Sequence, residues 1–358
     1  MKKLWELAES DQEKIIPIML GKYGEVIGKF SSPYSYIYTL KSKYGSEYLI
    51  AKAPKIQRNM AQEDVRARLL KMLMEINTIH RVCTHSFVHR FGKIEVLLGV
   101  PFLISVKRHM NLRDAIEEGP FNRVDMLATA IQIAKGIEYI QSRGLICHQD
   151  LKAENIFLDV IAKKFVTDGN FPYSYQAYLA DFDLVNTAVL FNQPYGSRPY
   201  QAPEQYVKDG TPIYNKIDVF ALAVNMVEML TGGIHPLGVR TTDAWPDSTI
   251  GNKWNREDPW KKWARSPTLS GDLKLELDDP IRVLISEMLT ADYVKRPDIS
   301  EVKIHLSECL AESDKHAYGS LMLYMQQADD AERLNSESGW PYMDELVSKI
   351  NQHYESDL

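Results

Sequence analysis

The stretch His148-Gln149-Asp150-Leu151-Lys152-Ala153-Glu154-Asn155, inside the run Leu145–Leu158, decides the reading. An Asp so placed can accept, or at least orient, the proton of an attacking hydroxyl. A Lys two positions on neutralises charge on a moving phosphoryl group, and an Asn five positions after the Asp offers a hard oxygen to Mg²⁺. Short strands over Gly144–Cys147 and Ile156–Leu158 are expected to hold this loop rigid.

Three further segments extend the pattern outward. Ala180-Asp181-Phe182-Asp183-Leu184 places Asp181 at a strand end as an oxygen ligand for Mg²⁺. Gly196-Ser197-Arg198-Pro199-Tyr200-Gln201-Ala202-Pro203-Glu204 follows. Upstream, Lys52 on a predicted strand and Glu75 on a predicted helix can pair, which would hold the lysine on the α- and β-phosphates of a nucleotide. Lys55 is the alternative, but Lys52 shares a strand face with Ile50 and Tyr48.

In this order these segments resemble the eukaryotic-like (Hanks-type) protein kinases over about residues 23–310. The loop at 148 resembles HRDLKxxN, residues 181–183 resemble DFG, and 202–204 is APE as it stands. Asp218-Val219-Phe220-Ala221-Leu222 resembles the helix start whose Asp steadies the catalytic loop, and Arg296-Pro297 the late Arg that pairs with Glu204. The resemblance implies an α+β, two-lobed kinase fold, with a small antiparallel sheet and one helix in the N-lobe and a larger helical C-lobe. It implies ATP and Mg²⁺ as cofactors. Asp150 and Lys152 would be the catalytic residues and Asn155 and Asp181 the metal ligands. Gly28, Ile37, Lys52 and Glu75 would contact the nucleotide, with a hinge at Ser105–Lys107 backed by Ile104. Ile79, His148 and Phe182 would join the family's stacked apolar spine. The partner would be a protein bearing a Ser or Thr acceptor, since Lys152 speaks for Ser/Thr specificity, with autophosphorylation expected.

Departures from the pattern cluster around the nucleotide. Where GxGxxGxV belongs, Gly28-Lys29-Phe30-Ser31-Ser32-Pro33-Tyr34-Ser35-Tyr36-Ile37 has a single glycine. Two readings stand: Ser31, Ser32 and Ser35 supply hydroxyl donors to phosphate, or the segment is an ordinary hairpin. Ile50 replaces the usual Ala over the adenine. Gln149 replaces the Arg that pairs with a phosphorylated activation loop, so phosphorylation at Thr187 or Tyr195 is not expected to be required. Asp183 replaces Gly and is either a further metal contact or a solvated or N-capping residue. The poor glycine loop, Ile50 and Asp183 keep a pseudokinase scaffold open as an alternative. The Asp-x-Asp pair keeps open a small-molecule phosphotransferase, against which the GSRPYQAPE segment and Arg296 stand.

Hydrophobic periodicity organises the rest. The first twenty residues read as one amphipathic helix on Leu4, Leu7, Ile15 and Leu20, and residues 1–22 are set apart as an N-terminal helix. Residues 23–104 form the N-lobe, with Tyr34, Tyr36 and Tyr38 on one strand face. Residues 105–310 form the C-lobe and 311–358 a helical tail. Val65, Leu69, Met72, Ile76 and Ile79 mark a helix over Ala61–Arg81, and Asp218–Leu230 is apolar enough all round to be a buried helix ended by Gly232. Residues 160–176 and 235–267 look inserted. The second holds Trp245, Trp254, Trp260 and Trp263 among Arg256, Lys261, Lys262 and Arg265, and suits either core packing or a docking surface. His80, His85 and His89 read as surface histidines rather than metal ligands.

Composition limits the function classes. A net charge of −6 is too mild to argue for a nucleic-acid or membrane partner, and neither is expected. Cys83, Cys147 and Cys309 show no metal or disulfide spacing, which suits a reduced cytoplasmic setting. No run approaches the ~18 apolar residues of a membrane span.

Overall fold

The structure is a computed structural model. It describes every residue except 1, 46, 83, 165–170, 183–184, 186–195, 207–214, 245–256, 272, 274–278, 339–343, 346, 351 and 353–358. Contacts divide the chain into two units, one comprising residues 1–84, 90–108 and 335–358, the other 85–89 and 109–334.

The first unit is built on an antiparallel sheet. Strands β1 (Gly24–Ser31), β2 (Ser35–Ser42), β3 (Tyr48–Pro54), β4 (Lys93–Leu97) and β5 (Val100–Val106) are ordered β1-β2-β3-β5-β4. Alternation selects the buried face: Tyr38 and Leu40 on β2, Ala51 and Ala53 on β3. Leu98 and Gly99 make the tight β4–β5 turn, both with positive φ, 47° and 79°. Helix α2 (Gln62–Val82) lies against β3 and β5, and buries Val65, Leu69, Met72, Ile76 and Ile79 at the expected spacing. Glu75 is buried in the same stripe.

The N-terminal segment is two pieces rather than one helix. A 3-10 turn, Leu4–Glu6, is followed by extended backbone at Leu7 and Ala8, and only then by α1 (Glu9–Leu20). The break changes the helical phase, so Ile16 rather than Ile15 joins Leu4 and Leu20 in the core. The amide of Leu4 donates to the Leu98 carbonyl at 2.9 Å, which ties this segment to the β4–β5 turn. Tyr34 sits in the turn after β1, outside the strand that carries Tyr36 and Tyr38.

The second unit is helical around a small sheet of β6 (Met110–Asn111), β7 (Ile156–Val160) and β8 (Tyr175–Leu179). Helix α3 (Leu112–Glu118) is capped by Asn111, whose side chain accepts from the Asp114 amide. Helix α4 (Arg123–Ser142) and helix α5 (Ile217–Thr231) are buried on nearly every side. Gly232 stops α5 at φ 67°, a left-handed position where a side chain would strain the backbone. Around them pack α6 (Glu257–Arg265), α7 (Pro280–Met288), α8 (Ile299–Ser313) and α9 (Lys315–Ser338). Trp260 and Trp263 are buried and both meet the His235 ring edge-on, at 5.1 and 4.5 Å between centroids. These two tryptophans are core; Trp245 and Trp254 lie outside the described residues. Lys262 and Arg265 are exposed, and Lys261 is half-buried.

His85 corrects the surface reading. It is 2% exposed and stacks on Tyr139 at 4.4 Å. Its Nδ1 accepts from the Phe87 amide at 3.2 Å, and Nε2 lies 3.3 Å from Asp329 on α9. Burial lowers the His85 pKa against the pull of Asp329, so the ring is neutral at physiological pH.

Candidate functional site

The loop at 148 is fixed from below by one carboxylate. Asp218, on the first turn of α5, accepts the amides of His148 at 2.6 Å and of Gln149 at 2.9 Å. Burial pushes the Asp218 carboxyl up, against those two amides, which favour its charged form. Gln149 is held at φ 76°, a left-handed conformation uncommon outside glycine. Asn225, about two turns further along α5, donates to the Leu151 carbonyl at 3.1 Å. Among the described residues, Gly144–Cys147 does not form the expected strand: the chain leaves α4 through Gly144 at φ 78°. Buried side chains do the work that the strand was expected to do. The strand after the loop, β7, is present and pairs with β8.

Above this base, polar groups converge on Asp150. Its Oδ1 accepts the Ser197 amide at 2.7 Å, and its Oδ2 accepts Asn155 Nδ2 at 3.2 Å. Asn155 Nδ2 also donates to the Asp150 carbonyl at 2.9 Å, so its Oδ1 is the oxygen left for another partner. Lys152 Nζ lies 3.5 Å from Asp150 Oδ2. Burial works against the lysine's charge, but Asp150, Glu154 and Asp181 outweigh it and raise its pKa. Lys152 is therefore an ammonium at any physiological pH.

Asp181 follows β8 at φ 64°, again left-handed. Two contacts hold it there. The Ala180 amide donates to the Asn155 carbonyl at 2.9 Å, and His148 Nε2 donates to the Ala180 carbonyl at 2.9 Å. Phe182 is buried against the His148 ring at 5.0 Å. Non-glycine residues at positive φ cost of order 1–3 kcal/mol and persist where surroundings over-determine them. Gln149 and Asp181 are two such residues in one constellation. Asp183, Thr187 and Tyr195 lie outside the described residues.

The segment from Gly196 to Glu204 is pinned from several directions. At Gly196, φ is 126° and a Cβ would lie 2.7 Å from the Gln149 carbonyl, so no side chain fits. Gln201 Nε2 donates to the Gly196 carbonyl at 2.9 Å, and the Ala202 amide donates to Gln205 Oε1 at 2.8 Å. Arg296 forks onto both oxygens of Glu204 at 2.6 and 3.1 Å. With that guanidinium fully buried, removing one partner would cost roughly 3–5 kcal/mol. His235 Nε2 donates to the Pro199 carbonyl at 2.8 Å.

A second buried cluster went unread in the sequence. Arg113 Nη2 donates to Glu228 at 2.9 and 3.0 Å and also to the Tyr200 hydroxyl, which itself donates to Glu228 at 2.8 Å. The available signal was Glu228, which with Asp218 is one of two carboxylates in an otherwise largely apolar helix. The contribution of Ser197 is a backbone amide and leaves no mark in the residue type.

In the first unit, Lys52 Nζ donates to Glu75 Oε1 at 2.7 Å, and Glu75 is 5% exposed. Lys55 points elsewhere, to Ser31 Oγ at 2.7 Å. Ile37 faces Lys52 across the β2–β3 ladder, and Ile50 faces Thr39. Gly28 follows an irregularity in β1 and has room for a Cβ, 3.8 Å from Thr39, so the fold does not demand glycine there. Ser32 Oγ accepts the amides of Tyr34 and Ser35 at 3.3 and 2.9 Å. The turn thus closes on itself, as in the ordinary-hairpin reading. At the expected hinge, Ser105 pairs with Ile50, and the Lys107 amide already donates to the Tyr48 carbonyl at 2.8 Å.

Comparison with known proteins agrees with this geometry. The protein kinase domain family matches residues 23–306, and the chain belongs to that family. Among similar proteins is the eIF-2-alpha kinase GCN2 of Rattus norvegicus, 25% identical over 248 residues, or 62% of this chain and 14% of that protein. The serine/threonine-protein kinase chk1 of Schizosaccharomyces pombe is 36% identical over 104 residues, 28% of this chain and 18% of its own length. Serine/threonine-protein kinase PBL35 of Arabidopsis thaliana is 28% identical over 231 residues, 59% of this chain and 41% of its own. In each, the match covers less than half of the relative.

Proposed function

We propose that this protein is an ATP-dependent serine/threonine protein kinase that also phosphorylates itself. The observation that carries the reading is the convergence of Lys152, Asn155 and the Ser197 amide on the Asp150 carboxylate. In this reading Asp150 orients the acceptor hydroxyl and takes up its proton. Lys152, kept cationic by its carboxylate neighbours, stabilises negative charge on the transferring phosphoryl. Lys52, steadied by Glu75, takes the non-reacting phosphates. Gly28, Ile37, Ser105 and Lys107 are the remaining candidate nucleotide contacts.

The donor set fits Mg²⁺: Asp181 offers a carboxylate and Asn155 an amide oxygen, both hard ligands. The metal, when bound, neutralises the phosphates, and the transition state is loose enough that positioning and charge supply most of the rate. A protein rather than a small-molecule acceptor is favoured by the pinned Gly196–Glu204 platform. Cys147 and Cys309 are buried and not joined in a disulfide, which suits a reducing cytoplasm. Among the described residues no helix is long and apolar enough to cross a membrane.

A nucleotide-binding scaffold without transfer is the second reading, favoured by the self-satisfied β1–β2 turn and the occupied Lys107 amide. Incubation with labelled ATP, Mg²⁺ and a generic protein substrate separates the two. Wild type should incorporate label, and Asp150→Ala should lose about 10²–10⁴-fold in rate with ATP binding retained. Equal incorporation by both proteins would overturn the assignment.

A further inference from the structure

The turn between β1 and β2 gathers four basic side chains. Lys29 comes from β1, Lys55 from the residue after β3, and Arg68 and Lys71 from α2. Lys55 Nζ donates to Ser31 Oγ at 2.7 Å and to the Ser32 carbonyl at 3.3 Å. Arg68 Nη1 donates to the carbonyls of Lys55 at 2.7 Å and Pro33 at 3.1 Å. Every one of these acceptors is a neutral oxygen. Lys71 and Arg68 lie over the Tyr34 ring at 4.7 and 5.6 Å, and Lys29 over Tyr36 at 4.7 Å. Charged partners bind cations more strongly than neutral oxygens or ring faces.

Glu9 on α1 acts electrostatically on Tyr36, as does Arg68, and Glu63 and Asp64 lie in the first turn of α2. Among the described residues no carboxylate forms an ion pair with Lys55 or Arg68. Arg68 is clamped by two carbonyls through a single nitrogen, which leaves Nε and Nη2 as donors in a fixed place. Ser31 is exposed at the centre of the cluster. Ser32 is not equivalent, because its hydroxyl closes the turn.

We propose that Ser31 Oγ carries a phosphoryl group, and that Lys55 and Arg68, with Lys71 beside them, are its receptor. The γ-phosphoryl of ATP supplies it. The bond from phosphorus to Ser31 Oγ forms, and the bond to the β–γ bridging oxygen breaks. ADP leaves with that electron pair, and the hydroxyl proton passes to solvent through the donor kinase. Any ATP-dependent protein kinase can be the donor, so the inference does not rest on the activity proposed above. A phosphate monoester brings close to two negative charges and three strong acceptors. It converts a turn ringed by basic side chains into a staple joining β1, the end of β3 and α2.

The test installs phosphoserine at position 31 of the full chain by amber suppression and follows its second ionisation by phosphorus NMR. The pKa should fall by about 1 unit or more relative to the urea-unfolded chain. The depression should vanish in the Lys55→Met, Arg68→Met double variant, whose folding is checked by circular dichroism. Equal values in folded and unfolded chain would overturn the receptor. If free O-phosphoserine saturates the same two cations on the unmodified chain, the phosphoryl arrives in trans and Ser31 is not its carrier. Tandem mass spectrometry of the chain from its native cells should find phosphate on Ser31, and an unmodified Ser31 at full peptide coverage sinks the modification.

Discussion

The loop at His148–Asn155 and the turn at Ser32–Tyr34 are both short and free of regular ladders, yet they are stabilised in opposite ways. The loop is held by partners far away in the chain: Asp218 and Asn225 below it, Ser197 above. The turn is held largely by its own residues, Ser32 closing on Tyr34 and Ser35, with Lys55 and Arg68 bracing it from outside. Long-range buried bonds impose one conformation, strained where needed, as at Gln149 and Asp181. A locally closed turn needs no particular residue beyond a small hydroxyl, and this is where the sequence departs most from its family.

Removing the base of the loop should show the largest effect. Asp218→Ala strips two buried amides of their acceptor and should cost roughly 2–6 kcal/mol, at ~1–3 kcal/mol for each unsatisfied group, by urea unfolding. Activity should fall with it. A loss under 1 kcal/mol would mean that the loop is held locally after all.

A pH titration sharpens the same contrast at His235, which pins the platform through Pro199. Burial lowers its pKa to about 4, so the folded ring refuses a proton that the unfolded chain accepts below its ordinary 6.5. The sign is therefore a stability that is full above pH 6.5 and falls as the pH drops toward 4, by on the order of 3 kcal/mol. His235→Asn should lack that component, so the gap between wild type and variant narrows on acidification. Parallel curves would show that His235 does not titrate as buried. Ser32→Ala should have the smallest effect, about 1 kcal/mol or less, with the fold and the loop at 148 untouched. A larger loss would erase the distinction between the two regions.

Much of the fold was legible because periodicity and motif spacing are local. The stripe of α2, the buried character of α5 and the order of segments from Lys52 to Arg296 all follow from neighbours a few residues apart. What escaped depends on distant chain segments. The strand face told Lys52 from Lys55, but the contact of Lys55 with Ser31 Oγ could not be read. His85 looks like any loop histidine until α9 and Tyr139 cover it. The Arg113–Glu228–Tyr200 cluster joins three elements that lie far apart in the sequence. The break at Leu7 and Ala8 has no Gly or Pro to announce it.

Helix α9 carries a practical consequence. The family match stops at residue 306, but Ala317, Leu321, Met325 and Ala328 are buried beyond it, and Asp329 reaches His85. A fragment trimmed to the family boundary would bare the His85–Phe87–Tyr139 surface to water and offer it to the next copy. Poor solubility of such a fragment would reflect where it was cut, and carry no information about the full chain.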